Sequence, residues 1–245
     1  MPPPAEAVAE AEAALARAVA ECLATAHSLG EGHPDLTSWT QAAMMAGSDA
    51  PNDFHSTMDP TGKTKLAPHE PRASAERRCM ELVVALDKAR APTQEARDEQ
   101  MVGRGVTLRV LRELLAEARR AKPGVERMAT WQVVRDVVQP ATRRRRCRYV
   151  ELLRGPGVGR ATVFCSHTWG APFEDLVAAV ELAVGGESEG IHVWVDILAV
   201  RQWPGNGADL AFGPVVRDTE ALVLVAQHLD SVAAMDFKAR WPSLG

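Results

Sequence analysis

Aromatic residues are scarce in this 245-residue chain, 5% of the total with a single tyrosine, so an extended surface of stacking rings is not available to it. Cysteine is also sparse. The four residues Cys22, Cys79, Cys147 and Cys165 lie far apart without a C-x-x-C pair, which fits an intracellular chain with free thiols better than a disulfide scaffold. No apolar run approaches the roughly 20 residues that span a bilayer. The start, Met1-Pro2-Pro3-Pro4-Ala5-Glu6, lacks the basic and apolar regions of a secretory signal, so a cytoplasmic protein without membrane attachment is expected. Positive charge is not in excess: the net charge of −4 argues against a polyanion binder. What remains, 46% hydrophobic and 24% charged residues, is enough for a packed core.

The first half reads as helical. Val8, Ala11, Leu15, Val19, Cys22 and Ala26 recur at three- and four-residue steps in an Ala-rich N-terminal helix within residues 1–27. This helix either packs on the main domain or meets a partner helix. Residues 28–73, rich in Gly, Pro, Ser, Asp and His, read as a loop or disordered linker. The histidines in or beside it (His27, His33, His55 and His69) match no metal spacing. Residues 74–139 form a helical region. Cys79, Leu82, Val83 and Leu86 mark one helix, and Leu108, Leu111, Leu115 and Ala118 a second. A third runs from Thr130, its expected cap, to Val138, with Pro140 ending it.

Residues 140–245 change period. Ala161–Cys165, Ile191–Val200 and Ala221–Ala226 read as strands, and Pro172–Val184 as a helix stopped by Gly185-Gly186. Residues 207–219 read as a helix broken at Gly213-Pro214. The succession predicts an α/β fold with a parallel sheet. Its third strand, Ala221–Ala226, would be an apolar edge with unpaired backbone groups, which recruits a protein partner or a second copy.

Two basic or glycine-rich segments carry no chemistry on this reading. Arg143-Arg144-Arg145-Arg146-Cys147-Arg148 reads as a solvated loop, since no aromatics interleave with it, and a nucleic-acid partner is not expected. Gly155-Pro156-Gly157-Val158-Gly159-Arg160 precedes a strand instead of opening a helix, so it is a connecting turn and not a phosphate cradle. Ser166 and His167 point to opposite faces of an extended chain and cannot pair as nucleophile and base. Cys165 and His167 share a face, and with His192 and Asp196 they offer four metal donors. That set has no diagnostic spacing, and no metal is assigned. Asp196 is the residue to explain: a carboxylate in an apolar strand is hydrogen-bonded or functional. Trp169 either packs over the sheet or stacks on a ligand.

Ser166-His167-Thr168-Trp169-Gly170 resembles the Ser-Tyr-x-Trp-Gly start of heterokaryon-incompatibility (HET) domains. Trp194-Val195-Asp196-Ile197-Leu198-Ala199-Val200-Arg201-Gln202 resembles their Trp-Ile-Asp-x-x-Cys-Ile-Asn-Gln segment, with Ala199 at the Cys and Arg201 at the Asn. The Phe-x-Ser-His-x-Trp form is similar to TIR-like proteins of algae and other protists. There, segments like Pro140-Ala141-Thr142 and Tyr149-Val150-Glu151-Leu152 precede the first strand. The resemblance spans about residues 128–230. It implies a flavodoxin-like sheet with Ala161–Cys165 as central first strand, and a signalling or self-recognition role through protein interaction. Some TIR-like domains cleave NAD with a Glu on a later helix. The Trp-Cys-Leu-x-Glu segment of the algal relatives has no counterpart in Asp236–Gly245, so the expectation is a module without catalytic activity as it stands. The alternative is an NAD-cleaving hydrolase or nucleotide binder with NAD as cofactor. Ser166, His167, Trp169, Asp196 and Gln202 are then the binding residues, and Asp196 or Glu174 the remaining candidate acids.

Overall fold

The computed structural model describes residues 5–28, 70–125, 127–185 and 190–225. Most of the 28–73 segment and the residues after 225 lie outside them, as do the side chains of Ala26 and His27 and all of His33, His55 and His69.

Two long helices, α1 (Ala5–Ser28) and α2 (Glu70–Arg90), pack on one another. The periodic residues of both make the contact: Leu15, Ala18, Val19 and Cys22 of α1 meet Cys79, Val83 and Leu86 of α2 in a small separate core. Helix α1 is thus covered mainly by α2. Helix α3 (Gln94–Val102) follows, capped by the Thr93 side chain, which accepts from the Ala96 N–H at 3.1 Å.

The main body is a five-stranded sheet in the order β2-β1-β4-β3-β5. Strand β3 (Val163–His167) lies between β4 (Val193–Val195) and β5 (Ala221–Val225), and both pairings are parallel. The expected parallel α/β unit is therefore present, and β5 is its edge among the described strands. The sheet is nevertheless mixed. β1 (Gly105–Val106) pairs antiparallel with β4 and with β2 (Val158–Gly159). The segment read as a connecting turn thus supplies an edge strand. A close approach requires glycine here: a Cβ on Gly105 would lie 2.8 Å from His192 Cβ and 2.9 Å from Ala161 Cα.

Helices cover both faces. On one, α4 (Leu108–Ala121), α5 (Thr130–Val133) and α7 (Phe173–Val184) bury Leu111, Leu114, Val133, Phe173, Leu176 and Val180 against Val163, Cys165 and Val195. The helical region and the strands therefore share one core. On the other face, α3 and the short α9 (Gly213–Asp218) set Met101, Val102 and Val215 on Phe164 and Trp194. Helix α7 keeps its expected limits, with Gly185 in the left-handed conformation at φ 71° closing it.

Two local expectations are corrected and a third is refined. Thr130 is not a cap, because the cap position is Ala129 and the Thr130 hydroxyl donates to the Ala171 carbonyl at 3.1 Å. Pro140 does not end its helix. A π-helical turn, Val134–Val138, precedes α6 (Gln139–Thr142), and its wider ring accommodates a residue without an N–H. The 207–219 segment is broken as expected, into a 3-10 turn, Gly207–Leu210, and α9, but Gly213-Pro214 opens the second piece, as proline does in a first turn.

The Ile191–Val200 strand is also shorter than expected. It ends at Val195, and Asp196–Ala199 forms a helical turn, α8. Asp196 is therefore the first residue after the strand, and it sits beside the N–H groups that open the turn. Among the described residues no helix is long and apolar enough to cross a membrane.

Candidate ligand-binding site

The register of the three parallel strands aligns Trp194, Phe164 and Leu222 across one face of the sheet. The Phe164 and Trp194 rings stack with centroids 5.3 Å apart, and Phe212, entering from the start of α9, lies 5.7 Å from Phe164. Because α9 is only six residues long, it covers this face incompletely. A cavity of about 500 Å³ results, running from the aromatic row to the carboxyl ends of β3 and β4. Phe164, Trp194, Phe212, Val216 and Leu222 form its apolar walls. Ser166, His167, Asp196 and Arg217 supply its polar groups.

The polar end is built by the turn that follows β3. Trp169 returns over the strand tips, stacks on His167 with centroids 6.1 Å apart, and donates from Nε1 to Asp196 Oδ2 at 3.1 Å. That indole bond fixes the carboxylate and answers the question raised by an acid at a buried strand end. The other oxygen, Asp196 Oδ1, lies 3.7 Å from His167 Nδ1, beyond hydrogen-bond reach. It is buried without a partner, and so is His167 Nε2. Buried polar atoms normally find partners, so these two, on residues beside one cavity, are the candidates to meet an incoming polar group.

The sequence candidates separate on this geometry. Ser166, His167 and Asp196 line the cavity, and Trp169 supports them without lining it. Gln202 stands behind the α8 turn: its Nε2 donates to the carbonyls of Asp196 at 3.2 Å and Val200 at 3.1 Å, so it holds the turn in place. Glu174 is directed away into ion pairs with Arg119 and Arg127 on α7's first turn. The four metal donors are not brought together. His192 precedes β4 at the opposite end from Asp196, with Nε2 3.4 Å from the Pro156 carbonyl. Among the described residues no group of three or more His, Cys, Asp or Glu side chains is placed to hold a metal. Cys165 is no nucleophile here, since burial, helped by the Asp196 charge, pushes its thiol up to about 12.

The arginine segment read as a solvated loop is corrected most strongly. Arg146 and Arg148 are buried. Arg148 donates to both Asp209 oxygens and to Asp87. Arg201, also buried, forms a two-pronged pair with Asp87 at 2.9 and 3.0 Å. Arg104 adds a bond to Asp209 at 2.9 Å. Burial opposes the charge on Arg148, but Asp209, Asp87 and Glu151 outweigh it and hold its pKa above the ordinary range. This network ties α2 to the sheet unit. Its partners are distant in sequence, and only the unusual Arg201 in an otherwise apolar segment hinted at it.

No family model, no curated protein and no solved structure matches the chain.

Proposed function

We propose that the chain is a TIR/HET-like signalling or self-recognition module that binds a nucleotide-class ligand, NAD first among them, beneath α9. One observation carries this reading: the two orphan atoms, His167 Nε2 and Asp196 Oδ1, belong to residues at the polar end of an aromatic-walled cavity. A base or nicotinamide ring suits the Phe164, Trp194 and Phe212 wall. An amide or hydroxyl meets the orphan pair, and Arg217 offers a cation for phosphate. The cavity volume falls in the range that encloses small ligands. The parallel strands run second-first-third, as a flavodoxin-like sheet begins, which supports the finer fold assignment.

Calorimetry with NAD, ADP-ribose and AMP tests the reading. At least one is expected to bind, and Asp196→Ala to weaken it about tenfold, the worth of one polar contact. Absence of binding to all three removes it. Nicotinamide assayed in the same samples separates the two versions of the function. Binding without release supports the interaction module. Release that disappears in Asp196→Ala makes the chain an NAD-cleaving hydrolase.

Assembly is favoured by a separate observation. β5 pairs only with β3 among the described strands, and Leu222 on it is 50% exposed. An apolar edge strand of this kind templates pairing with another chain, here a second copy or a protein partner. Sedimentation at rising concentration is expected to show reversible self-association that Leu222→Lys weakens. A strict monomer at high concentration would rule out self-assembly. The reading places the protein in the cytosol, where its thiols are kept reduced.

A further inference from the structure

The cavity beneath α9 is polarised from one end to the other. Asp218, next to Arg217 on α9, pairs with Arg160 just ahead of β3, so Arg217 stands at the amino ends of the parallel strands. His167 and Asp196 stand at the carboxyl ends. The aromatic row of Phe164, Trp194 and Phe212 lines the wall between them. Arg217 is exposed and carries only donors. The opposite end is more enclosed, with the His167 side chain 2% and the Asp196 side chain 23% accessible.

What the enclosed end offers is acceptors. A carboxylate only accepts. Asp196 Oδ2 is taken by the Trp169 indole N–H at 3.1 Å, and Oδ1 is buried without a partner. That oxygen lies 3.7 Å from His167 Nδ1. Its negative charge draws the imidazole proton to Nδ1, which leaves Nε2, also buried and unpartnered, as a lone-pair acceptor. The Trp194 indole N–H is spent on the Met101 carbonyl. Ser166 can turn its hydroxyl either way, and Cys165 offers only a weak thiol donor. Among the described residues, no side chain lining this end therefore holds a fixed N–H toward a ligand.

We infer that this cavity selects a planar heterocycle by a primary amino group, exocyclic as on adenine or part of a carboxamide as on nicotinamide. The inference rests on the nucleotide-class reading above and narrows it. The ring lies along the aromatic row. One NH2 group carries two hydrogens, one for Asp196 Oδ1 and one for His167 Nε2. A hydroxyl has one hydrogen and leaves one of the two acceptors unmet. An oxo group has none, and it sets a third acceptor against the carboxylate, desolvated and unpaired. A phosphate attached beyond the ring then extends toward Arg217, so base and phosphate are bound at opposite ends. The same polarity disfavours the reversed pose, which would bring a phosphate against Asp196.

Calorimetry on the full chain with two matched pairs tests this. AMP and inosine monophosphate differ by an amino group against an oxo group. NAD and its acetylpyridine analogue differ by an NH2 group against a methyl group. In at least one pair the amino-bearing member is expected to bind about tenfold or more tightly, the cost of a buried acceptor left unmet. Asp196→Asn supplies the sharper readout. Trp169 still requires an acceptor, so the new amide turns its oxygen to the indole and sets its NH2 where Oδ1 stood. The preference is expected to fall to near parity or to pass to inosine monophosphate, a change that loss of packing alone does not produce. Smaller ratios in every pair that binds, or a preference that survives Asp196→Asn in full, overturn the inference and leave the nucleotide-class reading standing. Absence of binding to all four compounds removes both. Where Asp196→Asn does not fold, the ratios of the unaltered chain decide alone.

Discussion

Asp209→Ala lowers the unfolding free energy by about 3–5 kcal/mol, the cost of leaving buried cations without their counter-charge. Asp209 is the hub of the arginine network. It accepts from Arg104 Nη1, from Arg148 Nε and Nη2, and from the Arg201 backbone N–H. Its removal strands the Arg104 guanidinium, 11% accessible, and leaves Arg148, 5% accessible, with Asp87 and Glu151 alone. A comparison sets the scale. Arg160 pairs with Asp218 at the surface, with both side chains well exposed, so Asp218→Ala changes stability by less than about 1 kcal/mol. Urea unfolding of the two variants beside the parent measures both. A loss below about 1 kcal/mol for Asp209→Ala would mean that the arginines regain water by local opening and that the network does not hold α2 to the sheet.

The same network sets an acid limit. Burial would raise the Asp87 carboxyl, but Arg201 and Arg148 outweigh it and hold the group well below its ordinary value of 3.8. A depressed carboxylate stabilises the fold fully above its unfolded pKa, and the contribution is lost as pH falls from there toward the folded value. Stability carried by Asp87 is therefore complete at neutral pH and declines below about pH 4.

How much of this was legible depended on whether the determining partner was local. Helix α7 was legible because Pro172, Glu174, Asp175 and Gly185 mark its ends within the segment itself. β3 and β5 were legible as apolar runs between polar turns. β4 is shorter than its apolar run because Ile197, Leu198, Ala199 and Val200 are all fully buried, and an apolar run buried on every side looks the same in a strand as in a helical turn. β1 and β2, two residues each, are too short for any period and exist through the pairing of Gly105 with Gly159. The buried arginines were illegible for the same reason. Arg148 meets Asp209 61 residues away and Arg201 meets Asp87 across 114, while composition alone assigns an arginine run to solvent. In the candidate site, His167 and Asp196 stand out in the sequence because parallel α/β sheets place ligands at strand ends. The cavity's extension down the sheet face was not, since it follows from the shortness of α9, which was read as a broken helix.

Trp194→Ala is expected to cost about 3–5 kcal/mol and, under the binding proposal, to abolish nucleotide-class binding at the same time, because one side chain forms both the core and the cavity wall. The indole is 1% exposed, stacks on Phe164 and Phe212, and donates from Nε1 to the Met101 carbonyl at 3.2 Å. Truncation opens a void in the thinner layer of the fold, where α3 and α9 have few other anchors. Trp194→Phe separates the two contributions. It keeps a ring against Phe164 and loses the bond to Met101, a cost of about 1–2 kcal/mol. Under the binding proposal this variant retains measurable ligand affinity, since the aromatic wall survives. Denaturant midpoints and calorimetry on the same two variants report fold and site separately. Full affinity in a folded Trp194→Ala protein would place the ligand away from this wall. The orphan atoms of His167 and Asp196 would then need an occupant that reaches them from the strand tips alone.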